Sequence, residues 1–173
     1  IMNAPILGGM SVFANQSIIR VIILVVDGVS LTTVSTALEP FQQVNSMLGE
    51  DRFHIQLVSL SSTDPMTSAG IPIPCHLTST DVLAKLKLQN RPDLLILCCG
   101  HVTSPINQAS AGKIVQKFAR QNVPVFALGA ACLIAAKTAM IKGGKCATHW
   151  KMISSLAEQF PALEVQNVLY VLD

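Results

Sequence analysis

The run from Ile18 to Val26 is apolar throughout except for Arg20, and β-branched side chains dominate it. A strand with one dry face alternates apolar and polar residues. A run without alternation needs both faces out of water, and that is the signature of a strand inside a parallel sheet covered by helices on each side. Asp93 to Cys99 repeats the pattern, and Phe53 to Leu60 and Val123 to Leu128 read as further strands. Helix-length segments lie between them. Leu31 to Leu48 carries Leu31, Val34, Leu38, Phe41 and Val44 at helical spacing, with Pro40 expected to kink it or mark a junction. Thr80 to Leu88 predicts a short helix capped by Ser79 or Thr80, and Asn107 to Gln121 an amphipathic one. Ala130 to Met140 predicts a helix, Lys145 to Thr148 a short strand, Trp150 to Gln159 a helix and Val165 to Leu172 a last strand. Met66 to Cys75, with Gly70, Pro72 and Pro74, reads as a loop or edge hairpin. The alternation predicts an α/β sandwich around a mainly parallel sheet.

Composition narrows the class further. Half the residues are hydrophobic and 13% are charged, as in a packed domain rather than a disordered chain. The net charge is +2 with no basic run, so this segment has no electrostatic footprint for nucleic acid. The five cysteines match no zinc spacing and read as free, reduced thiols of a cytoplasmic protein. No metal and no cofactor are expected. No apolar run reaches the ~18–20 residues of a membrane span. Residues 1–17 read as a tail without a signal-peptide core, residues 18–173 as one domain, and Ile1 as the start of a trimmed segment.

Sites in such sheets lie at the carboxyl ends of the strands. Those ends carry Asp27-Gly28, Cys98-Cys99-Gly100-His101 and Leu128-Gly129-Ala130. The stretch Leu128-Gly129-Ala130-Ala131-Cys132, followed after a helix-length gap by Ala147-Thr148-His149-Trp150, has the frame in which an elbow presents a cysteine or serine to a histidine. Its turn carries Gly129, which has no side chain with which to attack. Cys132, one helical turn further on, is the best rescue for an enzyme reading, but free cysteines there commonly pack inward. Cys98 and Cys99 should face opposite sides of the sheet, with Cys99 lining a pocket mouth. His149 is either a structural histidine bonded to backbone or a pocket wall, and His101 faces the same cleft. Glu39 is flanked by apolar residues on the first helix. It is either solvated or an anchoring, cation-binding carboxylate, although a single Trp and a single Tyr are thin material for an aromatic cage.

Four segments then carry a resemblance: Val26-Asp27-Gly28-Val29-Ser30-Leu31, Ala37-Leu38-Glu39-Pro40-Phe41, Pro92-Asp93-Leu94-Leu95-Ile96-Leu97 and Gly143-Gly144-Lys145-Cys146-Ala147-Thr148-His149-Trp150. Together they resemble the PfpI-like branch of the class I glutamine amidotransferase-like superfamily, and more closely the sensor domain at the amino end of AraC-type transcriptional regulators. The resemblance implies a three-layer, flavodoxin-like sandwich. In the enzymes of that superfamily the nucleophilic cysteine precedes the histidine by the distance that separates Gly129 from His149. The acidic partner corresponds to Thr33, and the Gly-Gly of backbone donors to Cys99-Gly100. Nucleophile and acid are therefore both missing.

The resemblance accordingly implies a non-catalytic sensor. It would bind a small-molecule effector in a remnant pocket of Thr33, Glu39, Cys99, Gly100, His101, Gly129, Ala130, His149 and Trp150. It would form a homodimer and act on DNA through a helix-turn-helix domain beyond Asp173. The Leu-Glu-Pro-Phe segment is similar to regulators of quaternary amines and amino-acid derivatives. The alternative is a cysteine-dependent hydrolase, amidase or hydratase that has moved its nucleophile to Cys132 or Cys99. A dimerisation module without ligand is the third reading.

Overall fold

A computed structural model describes residues 18–61, 63–85, 91–100, 104–138, 141 and 144–172. The tail 1–17, His101, Met140 and the expected end of the Thr80–Leu88 helix lie outside them. The central sheet has five parallel strands in the order β3-β2-β1-β4-β5. These are β1 (Ile19–Val25), β2 (Phe53–Ser59), β3 (Leu77–Thr78), β4 (Leu94–Cys99) and β5 (Val125–Gly129). A second sheet pairs β6 (Lys145–Ala147) with β7 (Glu164–Gln166), also in parallel.

Alternation of side chains along each strand divides the core in two. Ile22, Leu24 and Val26 of β1 and Leu95, Leu97 and Cys99 of β4 face one side. There they meet Val82 of α2 (Ser79–Lys85), Ala111, Ile114, Val115 and Phe118 of α3 (Pro105–Ala119), and Ala131 and Ile134 of α4 (Ala131–Lys137). Val21, Ile23, Val25, Leu94, Ile96 and Cys98 face the other side, under Val34 and Ala37 of α1 (Leu31–Leu48) and Ile73 of the loop after β2. Helices thus lie on both faces, as the unbroken apolar runs require, and the two adjacent cysteines point to opposite cores as expected.

Local chemistry sets the boundaries. Ser30 caps α1, its hydroxyl accepting from the Thr33 N–H, and Gly49 ends the helix in the left-handed region. The Asn45 side-chain amide donates to the Phe53 carbonyl and accepts from the Phe53 N–H, which ties the end of α1 to the first residue of β2. α1 runs through Pro40 without a junction. Pro40 is exposed, so water can take the carbonyl that its missing N–H leaves without a partner. The α2 cap is Thr78, not Ser79 or Thr80. The Thr78 hydroxyl accepts from the Asp81 N–H while the Asp81 carboxylate takes the Thr78 N–H, a reciprocal box. Ser104 caps α3 with Pro105 in its first turn, earlier than apolar spacing alone indicated.

Three further expectations are corrected. β3 lies where no strand was read, a short edge piece beside β2. The helix from Trp150 begins as a 3-10 turn, and α5 proper is Ile153–Gln159. The last strand covers Glu164–Gln166 only. Val168, Leu169, Tyr170 and Leu172 are apolar but exposed and lie outside any described strand, because apolarity without a neighbouring backbone makes no ladder.

The loops after β1 and β4 touch. A Cβ on Gly100 would lie 1.8 Å from the Gly28 carbonyl oxygen, so only glycine fits there. Gly100→Ala is expected to cost about 3 kcal/mol, the upper end of overpacking penalties, in urea unfolding. A loss below about 1 kcal/mol would mean that the two loops do not pack as described.

Candidate functional site

Gly28 and Gly100 meet at the carboxyl ends of β1 and β4, and one strand further along β5 turns into α4. Gly129 makes that turn with φ 67°, in the left-handed region. A Cβ at position 129 would lie 2.9 Å from the Cys99 carbonyl oxygen and 3.9 Å from Thr33 Oγ1. Position 129 therefore looks toward the amino end of α1 with the Thr33 hydroxyl in van der Waals reach, and Gly129 itself is exposed. Thr33 is fixed there by Ser30, whose Oγ accepts from the Thr33 N–H at 3.2 Å and from Thr33 Oγ1 at 3.4 Å. The Ala130 N–H reaches back to the Cys99 carbonyl at 3.3 Å.

Cys99 contributes its backbone rather than its thiol. Its side chain is 3% exposed and packed in the core under α2, α3 and α4, which corrects the expectation that it lines a pocket mouth. Cys132 packs inward as expected, and its thiol donates to Thr148 Oγ1 at 2.8 Å. This bond holds Thr148 against the first turn of α4, and His149 is the next residue along the chain. The His149 Nδ1 accepts from the Lys151 N–H at 3.3 Å and caps the 3-10 turn. A neutral imidazole accepting at Nδ1 carries its proton on Nε2.

Two expected members do not gather at the Gly129 turn. Glu39 is exposed, two helical turns beyond Thr33 along α1; the anchoring-carboxylate reading gives way to the solvated one. Trp150 is 69% exposed, with the Lys151 ammonium 5.2 Å from its ring centroid and the His149 ring 5.5 Å away. A ring facing water, with its own lysine above it, is a poor wall for a cationic ligand. His101 lies outside the described residues. Sequence reasoning did not single out Ser30 or Thr148. Ser30 had a readable signal, a serine immediately before an apolar periodic run. Thr148 had none, because its partner lies sixteen residues away across a fold.

The thiols are electrostatically quiet. Burial pushes Cys98 up to about 12, with the neighbouring Cys99 adding to the shift. Burial also raises Cys132, and its hydrogen bond to Thr148, which favours the thiolate, does not offset that. Cys146 is raised by burial and by nearby Cys132, and Cys75 reaches about 11 through burial and the Asp64 carboxylate. A nucleophile needs the thiolate, so protonated, buried sulfurs give the relocated-nucleophile reading no support at Cys132. Among the described residues, no three His, Cys, Asp or Glu side chains converge as a metal site. No described helix is long and apolar enough to cross a membrane.

Comparison with known proteins returns the same architecture. The sequence pattern of the DJ-1/PfpI family matches residues 19–169. The HTH-type transcriptional regulator GbdR of Pseudomonas aeruginosa is 24% identical over 152 residues, which are 87% of this chain and 39% of that protein. This chain thus spans well under half the length of that regulator. An uncharacterized protein in the cpoL 5' region of Streptomyces lividans is 26% identical over 83% of this chain and 96% of its own length. Among solved structures, an AraC family transcriptional regulator from Pseudomonas putida superposes with TM-score 0.75 at 20% identity, covering 90% of this chain and 80% of that one. A DJ-1 superfamily protein from Salmonella typhimurium gives TM-score 0.68 at 15% identity, covering 90% and 78%.

These thiols predict a specific reactivity. An aromatic disulfide reagent at pH 8 should label Cys98, Cys132 and Cys146 roughly a hundredfold more slowly in the folded chain than in urea. One fast thiol among them would restore the nucleophile reading. Their raised values also set a pH dependence. An unfolded thiol ionises near pH 8.5, whereas folded Cys98 holds its proton to about 12. Its contribution to stability is therefore full below about pH 8.5 and lost as pH rises through that window. Melting temperature should fall more steeply above pH 9 in the native chain than in Cys98→Ala.

Proposed function

The chain belongs to the DJ-1/PfpI family, and from that premise we propose that residues 18–172 form a non-catalytic sensor domain of an AraC-type, DNA-binding transcriptional regulator. The observation that carries the reading is the geometry at Gly129. The elbow that would present a nucleophile holds a bare backbone in the left-handed region. The position its Cβ would occupy opens on the Thr33 hydroxyl, where an activated thiol would call for a charged neighbour. The scaffold keeps the shape of a reaction site and lacks the groups for the reaction. What remains beside the elbow is uncharged, the Ser30 and Thr33 hydroxyls near the Gly129 backbone, and suited to binding a small molecule rather than transforming it.

Similarity to the regulator of Pseudomonas aeruginosa, of which this chain matches 39% of the length, supports the regulatory half of the proposal. DNA contact then belongs to a helix-turn-helix domain other than these residues, acting from a homodimer on paired half-sites in the bacterial cytoplasm. The effector shifts that dimer only if it binds one state better than the other. Amines and amino-acid derivatives are the first class to test on the strength of the Leu38-Glu39-Pro40-Phe41 resemblance. The exposed positions of Glu39 and Trp150 give that choice no further support, so the panel should extend to neutral and acidic metabolites.

A thermal-shift panel tests the reading. At about a hundredfold excess over its dissociation constant an effector stabilises by about 2.7 kcal/mol, which corresponds to roughly 5–10 °C for a domain of this size. Gly129→Phe should abolish that shift, at a cost to the free chain of about 2–5 kcal/mol, from a side chain at positive φ and from crowding of its Cβ against the Cys99 carbonyl. An unchanged shift in Gly129→Phe would move the site elsewhere. A panel with no shift at all would favour a bare dimerisation module.

A further inference from the structure

β6, α5 and β7 form a small β–α–β unit with a core of its own. Cys146 of β6 and Leu156 of α5 are buried together with Cys132 and Ala136 of α4, and Phe160, Leu163 and Val165 pack around them. Neither strand of the unit joins the central sheet. The unit's elements pack most heavily on one another, and α4 is what it rests on. That helix is two-faced: Ala131 and Ile134 point into the main core, while Cys132, Leu133 and Ala136 point into the small one. Across the seam α4 presents Cys132, Leu133 and Ala136, all of them members of the small core and none of the main one. The unit can therefore part from α4 without repacking the main core. The Cys132 thiol, donating to Thr148 Oγ1 at 2.8 Å, bridges the seam. The residue after that latch is His149, and Trp150 follows.

We propose that the β6–α5–β7 unit moves as one body on α4, with the Cys132–Thr148 hydrogen bond as its latch, and that it is the moving wall of the cleft at Gly129. The wall role rests on the sensor reading; the movement does not. When the latch opens, Thr148 leaves the first turn of α4, carrying His149 with it, and the space beside Gly129 widens. When it closes, His149 returns to a fixed place. An occupant touching both Thr33 and His149 would favour the closed form, and the position of the unit would then report occupancy to whatever packs against its exposed side.

Hydrogen exchange on the full chain, without any effector, tests this. Amides of β6, α5 and β7 should share one opening equilibrium and exchange roughly tenfold or more faster than those of β1 and β4, because a small, separately packed unit opens below the global limit. Thr148→Val removes the acceptor while keeping the shape. It should accelerate the unit by about fivefold, the factor one hydrogen bond supplies, and leave β1 and β4 unchanged. Exchange of the unit at the rate of the main sheet would overturn the proposal. So would protection graded amide by amide within the unit, or equal acceleration of unit and sheet in Thr148→Val. Should that variant fail to fold, the native comparison of unit with sheet still decides. Uniform exchange defeats this inference alone, whereas a metabolite panel without a thermal shift defeats the sensor reading alone.

Discussion

β1 lies between β2 and β4 with both its faces out of water, and every residue from Val21 to Val26 is buried. A strand in that position cannot be half of a two-layer structure. It needs a parallel neighbour on each edge for its N–H and C=O groups and a helical layer on each face for its side chains. α1 supplies one layer, and α2, α3 and α4 the other. Parallel neighbours in turn require a crossover after each strand, so all the strand-to-helix turns collect at one end of the sheet. The candidate site sits at that end for this reason.

Within that end, backbone approach sets where side chains fit. Gly28 and Gly100 come too close for a side chain at position 100, and the two loops meet beyond β1 and β4. Gly129 sits one strand over, where a side chain would crowd the Cys99 carbonyl and face the Thr33 hydroxyl. That neighbourhood is neutral. Its hydroxyls come from the capped start of α1, and the thiols of Cys98 and Cys132 are turned into packed cores where burial keeps them protonated. Cys98 and Cys132 thus present no thiolate to the elbow, because packing and not proximity sets the protonation state.

Much of this was legible along the chain. Unbroken runs at Ile18–Val26 and Asp93–Cys99 forecast dry parallel strands, and the structure has them. The pairing of Cys98 and Cys99 with opposite cores followed from strand alternation. Short elements were less legible: β3 is two residues long and the last strand three, too short for a period to be counted. Glu39 was misleading because its sequence neighbours Leu38 and Phe41 are apolar, yet on a helix the neighbours in space are three and four residues away. Cys99 was misread because the strand end was taken as the pocket rim, whereas the rim is its carbonyl and the thiol belongs to the core.

The sequence by itself determined the layers, the direction of the strands and the absence of a side chain at Gly129, because burial patterns and residue identities are local and additive along the chain. Only the tertiary structure decided what surrounds that absence. That the Thr33 hydroxyl faces position 129, that Gly100 lies against Gly28, and that Thr148 meets Cys132 all depend on contacts between segments far apart in sequence. Such contacts are fixed by how helices settle on a twisted sheet, within tolerances of a fraction of an ångström, and no spacing of residue types along the chain encodes them.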